Sequence, residues 1–375
     1  MQRREFLKTT GAAAIAAPAT VLAASVTAAT HAQAAEPARA ALDTPSIHAG
    51  LRTLRLHSPL LDARGSAGDQ ARRLAHRLAT AADGRWHLER AAPDTAADRP
   101  RASSLVAVAS GHADLSLDLA SEVPVRRPDD AYFAGLPGGI GMDAAALDGW
   151  LRAGGGQELW DELMGEIGAK PLLAGCTGAA PTLWSRTPIE TTADLGGRAV
   201  ALSAAGAMVA DALGMVVRTT ETEPVDALAT GGIDIAETPD ASVATRQRFA
   251  GAAPYGYASP FANHGQTIAL HVRRALWDTM TAGDRALLEG IAAEALAVAH
   301  ADHAADRVMA AMVWAASPGL LPSLRPLAAD VGPAVRTLAA TVVAEAAANA
   351  AITRRIDASY MAFRRATLTD VFPVA

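Results

Sequence analysis

The chain has little with which to cross-link itself or to grip a polyanion. Cys176 is its only cysteine, which excludes an intramolecular disulfide even in an oxidising compartment. Lys8 and Lys170 are the only lysines, and 33 basic against 39 acidic side chains leave a formal net charge of −6. With no basic excess to neutralise phosphates, no nucleic-acid partner is expected. Aromatic residues make up 4% and apolar residues 50%, so any core must be built mostly from Ala, Leu and Val. No repeat of solenoid period is present.

What is present begins at the N-terminus. Arg3-Arg4-Glu5-Phe6-Leu7-Lys8 has the twin-arginine pattern, followed by an Ala-rich stretch from Gly11 to about Ala29 and by Ala32-Gln33-Ala34, a small-x-small cleavage site. The stretch is about long enough to span a bilayer. Its weakly hydrophobic Ala/Thr composition, broken by Pro18, favours a removed export signal over an anchor. The twin-arginine route leads to the periplasm. Beyond a disordered linker at 35–50, roughly 340 residues in all remain after the signal, enough for two medium domains.

Periodicity sets out the elements. Leu51 to Leu56 alternates like a strand, Asp69 to Ala82 has helical spacing, and Trp86 to Ala91 reads as a second strand. A short helix over Arg101 to Ser110 and a strand over Ala113 to Leu117 complete a β-α-β-α-β order, which implies parallel strands covered by helices. Ala144 to Ile167 is helical but interrupted by Gly154-Gly155-Gly156. A second β/α unit follows, with strands at 171–174, 182–185, 199–202, 216–219 and 233–236 and helices at 204–213 and 224–229. From Thr281, with Asp284 three residues on as a cap, a helix runs to about Ala316, longer than a typical globular helix. Two more helices are expected at 328–349 and 351–367.

Several segments together resemble one family. They are Trp150-Leu151 with Gly154 to Leu163 and Gly175-Cys176-Thr177-Gly178; Gly111-His112-Ala113-Asp114; Phe133 to Pro137; Pro188-Ile189 with Asp194-Leu195-Gly196-Gly197; Thr230 to Asp234; and Tyr360 to Arg364. The chain resembles the solute-binding subunits of tripartite ATP-independent periplasmic (TRAP) transporters of the DctP type. The resemblance implies an α/β, two-lobe periplasmic binding protein fold with a ligand cleft between the lobes and long C-terminal helices. Lobe I is expected over 51–172, with part of about 250–280 returning to it, and lobe II over 173–249. Helices over 281–375 would pack on both lobes. The implied partners are a small organic solute, the TRAP membrane permease subunits and, through the long helix, a second copy in a homodimer.

The same resemblance locates a pocket and shows where it departs from the family. The family's carboxylate-gripping arginine, whose fork offers two parallel donors, is replaced by Ala201. Arg198 lies an odd number of residues away and points to the opposite face of the strand. Ala180 stands where an amide is expected, Thr238 where an aromatic follows the second-lobe Glu, and Phe261-Ala262-Asn263 where a Trp-His-Glu-type loop is expected. The family tyrosine is replaced around Ser121 and Glu122. Glu237 stands where α-keto-acid-binding relatives place a carboxylate near sodium, which would make it a ligand-binding and metal-binding residue; the other reading is a solvated loop carboxylate. Trp184 matches a tryptophan near the cleft, or else is a core or hinge aromatic. No other cofactor is implied. Removing one partner of a buried charge pair costs about 2–5 kcal/mol, so simple carboxylates should lose roughly two to four decades of affinity. A neutral or cationic solute is the expectation, with Glu122, Glu237 and Asp240 near the cleft.

No enzyme is expected. His112 and Asp114 share a strand face without a third metal ligand, and His300 and His303 read as a solvated helix face. Gly154-Gly155-Gly156 does not form a phosphate loop, and Ser116 and Ser203 lack a nucleophile-elbow context. The alternative to a transporter subunit is a periplasmic sensor or interaction protein that kept the fold and lost its ligand.

Overall fold

The computed structural model describes residues 52–63, 65–91, 104–120, 128–178, 181–218, 223–239, 241–261, 265–316 and 324–368. The expected signal and linker, residues 1–50, lie outside these residues.

Three leucine-rich strands open the first sheet: β1 (Arg52–His57), β2 (Trp86–Arg90) and β3 (Leu115–Leu119). β1 pairs in parallel with both β2 and β3, bringing Arg52 to Trp86 and Leu56 to Leu115. β4 (Ala169–Cys176) continues beyond 172, where lobe I was expected to end. The five-strand order is β2-β1-β3-β10-β4, with β10 (Thr267–Arg273) antiparallel to both neighbours. Alternation sends Leu54, Leu56, Leu115, Leu117 and Leu270 into one core with the helix Ser66–Ala81 and the start of the helix Ala282–Ala316. The opposite face carries Leu173 and Ala269 into a second core with Phe133, Trp150, Trp160 and Tyr360.

The second sheet is ordered β7-β6-β8-β5-β9, from β5 (Thr182–Ser185), β6 (Ala199–Ala201), β7 (Val216–Val217), β8 (Ile235–Thr238) and β9 (Tyr255–Ala258). β6 runs parallel to β7 and β8, and β5 antiparallel to β8 and β9. Val200, Ile235 and Phe261 pack against Val209 and the helix Val331–Asn349 on one side. Trp184, Ala236, Leu228 and Phe249 pack together on the other.

The glycine triplet breaks a helix in two, Ala144–Ala153 and Gly156–Gly165, with Gly155 in the left-handed region at φ 78°. The reason is Trp150. A Cβ on Gly154 or Gly156 would lie 2.5 or 2.6 Å from its indole ring. That ring stacks with Phe133 at 5.4 Å and meets Tyr360 edge-on at 5.1 Å, so the few aromatics are concentrated where they pack against one another.

The chain passes between the sheets twice, after β4 and again between β9 and β10. The long helix Ala282–Ala316 packs on β4 and on the helix Ala241–Arg246, and so touches both sheets' elements. Its start is capped by Thr281, whose Oγ1 accepts the Asp284 N–H at 3.1 Å. The helix Ala351–Leu368 returns to pack on Gly156–Gly165.

Candidate functional site

The two crossing segments meet side by side. Thr177 N–H donates to the Gln266 carbonyl at 2.8 Å, and Gln266 N–H donates to Thr177 Oγ1 at 2.9 Å. The contact is so close that a Cβ on Gly265, at φ 71°, would lie 1.7 Å from the Gly178 carbonyl oxygen. Beneath it, the Gln70 amide and His303 Nε2 both reach the Cys176 carbonyl at 2.8 Å. A carbonyl only accepts, so His303 carries its proton on Nε2. His303 is 8% exposed. The expected solvated helix face is therefore corrected at this position: the long helix places one histidine inward, under the crossing. Burial also raises the pKa of the Cys176 thiol.

Two adjoining cavities open at this crossing, each of about 200 Å³. Both are bordered by Thr177 from the crossing and by Pro224, Glu237, Thr238 and Pro239 from the second sheet's side. Ser66 and Ala67, at the start of the helix Ser66–Ala81 on the first sheet, close one of them. Ala201 to Ala204 and Gln266 line the other.

Glu237 joins several segments of the lining. One carboxylate oxygen accepts the Ser203 N–H at 3.0 Å and the other accepts the Ser259 hydroxyl. Ser203 caps the helix Ala204–Ala210 by accepting the Gly206 N–H at 3.2 Å, and Ser259 accepts the Phe261 N–H at 3.1 Å. The carboxylate thus ties three loops together at the ends of β6, β8 and β9. Thr238, fully buried, shares a hydrogen bond of 2.6 Å with Thr182, which also accepts the Trp184 indole N–H at 2.9 Å.

Of the pocket residues read from the sequence, Ala201, Glu237 and Thr238 border the cavities. Trp184 and Phe261 do not. Both are core side chains of the second sheet, at 2% and 0% exposure, and Trp184 packs on Phe249. Ala180 and Asn263 lie outside the described residues, as do Ser121, Glu122 and Asp240. Arg198 does point away, its Nε donating to the Asp194 carbonyl at 3.0 Å. Thr177, Glu223, Gln247 and Gln266 were not singled out as pocket residues. The only sequence signal for them was their place in polar loops beside buried strands.

The sodium ion implied near Glu237 would take this carboxylate together with other oxygen ligands. Among the described residues no three His, Cys, Asp or Glu side chains gather. Glu237 accepts one protein donor on each oxygen. The His112–Asp114 pair is also accounted for. Burial opposes ionisation of Asp114, but the Arg55 N–H and the Arg273 and Arg55 guanidiniums outweigh it and hold the carboxyl below its usual range.

No family model and no curated protein matches the chain. Solved structures do. A TRAP periplasmic solute-binding protein from Pseudoalteromonas atlantica, with bound sodium and pyruvate, superposes with a TM-score of 0.72 at 21% identity, covering 84% of this chain and 94% of that one. One from Bordetella bronchiseptica, a dimer with calcium and picolinate in one site, gives 0.73 at 22%, covering 84% and 92%. One from Rhodoferax ferrireducens with bound malonate gives 0.64 at 16%, covering 84% and 100%. The fold is that of the TRAP periplasmic solute-binding proteins. At such identities the shared architecture carries over and the bound solute does not.

Proposed function

We propose that this chain is the extracytoplasmic solute-binding subunit of a TRAP-type secondary transporter. It would capture a small organic solute in the cleft and deliver it to the membrane permease subunits. The observation that carries this reading is the placement of both cavities beside the double crossing, one of them walled by Ser66 and Ala67 from the first sheet's side as well as by the second sheet's residues. Such a cleft closes by hinge motion about the crossings and buries what it holds. The solved structures of this fold with bound small molecules support a binding role without catalysis. The Arg3-Arg4 pattern and the Ala32-Gln33-Ala34 site support export to the periplasm by the twin-arginine route.

Glu237, Thr238 and Ala201 are the proposed solute contacts from the sequence-read set, with Thr177 and Gln266 at the hinge side. Ala201 in place of a guanidinium separates this cleft from one that grips carboxylates. A homodimer belongs to the same reading, since the last turns of the long helix expose Val308 and Met312 at 60% and 55%. The test is small-angle scattering with a thermal-shift screen of acids, amides, amines and sugars. One solute class should raise the melting temperature and shrink the radius of gyration, because a ligand that binds only the folded state stabilises it by mass action. The same scattering curves report the mass. A screen in which nothing shifts either quantity overturns solute capture and favours the sensor or interaction protein.

A further inference from the structure

The walls of the cleft carry information about charge that neither the fold nor the related structures supply. Among the described residues bordering the two cavities, the ionisable side chains are Glu223 and Glu237, and no Arg, Lys or His is present. Glu223 has an exposed side chain and borders one cavity, while Glu237 is half-buried and borders both. Each Glu237 oxygen accepts one protein donor. A carboxylate has about four acceptor sites, which leaves acceptor capacity for a donor brought in by a solute. An incoming carboxylate would meet that oxygen pair with no cation of the described lining to balance it, and like charges at short range repel strongly in a partly dry cleft.

The remaining walls narrow the choice. Pro181, Leu202, Pro224, Pro239 and Val243 offer aliphatic surface, suited to a short hydrocarbon body. Phe249 is the only aromatic residue among the described lining. A quaternary ammonium is recognised by a cage of several aromatic faces, which this lining does not provide. A primary ammonium, with N–H groups to give to a carboxylate, fits both features.

Resting on the solute-capture reading above, we infer that the cleft selects a short aliphatic primary amine, with Glu237 as its main counter-ion and Glu223 as a weaker one. The charge of the solute is thereby opposite to that of pyruvate, picolinate and malonate in the similar structures.

Calorimetry of the purified protein with butane-1,4-diamine, n-butylamine, butanediamide, butanedioate, butyltrimethylammonium, and pyruvate with and without calcium tests this. The amines should bind about tenfold or more tighter than the diamide, the diacid or the quaternary ion. Glu237→Gln should weaken amine binding by about tenfold or more, and Glu223→Gln by about two- to fivefold. Because Glu237 also braces loops, Ala201→Arg provides a second handle. It leaves those hydrogen bonds in place, puts a guanidinium into the cleft, and should reverse the preference toward butanedioate. Tight binding of butanedioate by the unaltered protein, of pyruvate with calcium, or of the diamide at the amine's affinity overturns the inference while leaving solute capture standing. No binding by any member of this panel and of the wider screen overturns both.

Discussion

At the scale of single residues, the described lining is set by alternation along very short strands. β6 contributes only Ala199–Ala201, yet that is enough for Val200 to enter the core and Ala201 to border a cavity. The same alternation, legible in the sequence, correctly turned Arg198 away. Trp184 and Thr238 sit on neighbouring antiparallel strands, and here the sequence did not separate wall from core. A residue's own neighbours do not reveal which sheet face will be covered by a distant helix. His271 shows the energetic side of such covering. In the middle of β10 it is fully buried, and burial pushes its pKa from 6.5 down to about 4. Below about pH 6.5 the unfolded chain takes up a proton that the folded chain refuses. Stability from this residue is therefore complete above pH 6.5 and is lost as pH falls towards 4, at about 1.4 kcal/mol per pH unit. Guanidinium titrations between pH 7 and pH 4.5 should show that slope, and His271→Leu should make it shallower. An unchanged slope in the variant would place the acid sensitivity elsewhere.

At the scale of elements, the signals that could be read were local ones. Leucine alternation marks β1 to β3, the glycine triplet marks the break beside Trp150, and the Thr281–Asp284 cap marks the start of a long Ala-rich helix. The region from about 250 to 280 was read from the sequence only as returning in part to lobe I. It holds β9 and β10, and β10 joins both halves of the first sheet by pairing with β3 and β4. Those partners lie far away in sequence, so the seven residues of Thr267–Arg273 have no local pattern that states their role. The crossing depends on equally distant contacts. A methyl group on Gly265 would sit 1.7 Å from the Gly178 carbonyl oxygen. Gly265→Ala should therefore lower stability by about 2–5 kcal/mol, from the left-handed backbone and the overpacking together, as read from urea midpoints. An unaltered midpoint would mean the crossing yields more easily than its geometry suggests.

At the scale of the whole molecule, the sheets are joined by both crossings and by the long helix, which lies on β4 and on Ala241–Arg246 at once. Residues 49–375 accordingly group as one compact unit. Unfolding should be a single transition, with tryptophan fluorescence from Trp150, Trp160 and Trp184, buried in cores of different sheets, melting in step with far-UV circular dichroism. Two separated steps would show lobes that unfold independently. Periodicity and a handful of glycine-bearing motifs were sufficient for most of the elements, since burial of apolar faces and helix breaking are short-range effects, and the family resemblance implied the two-lobe architecture. The resemblance, not the periodicity, pointed to Glu237 and Ala201, and both border the cavities. Which strand ends face each other, that Glu237 is braced by Ser203 and Ser259, 34 and 22 residues away, and that His303 turns inward to Cys176, 127 residues away, arise only when segments apart in sequence come into contact. Those contacts, and the charge of the surface they enclose, come from packing over the whole chain.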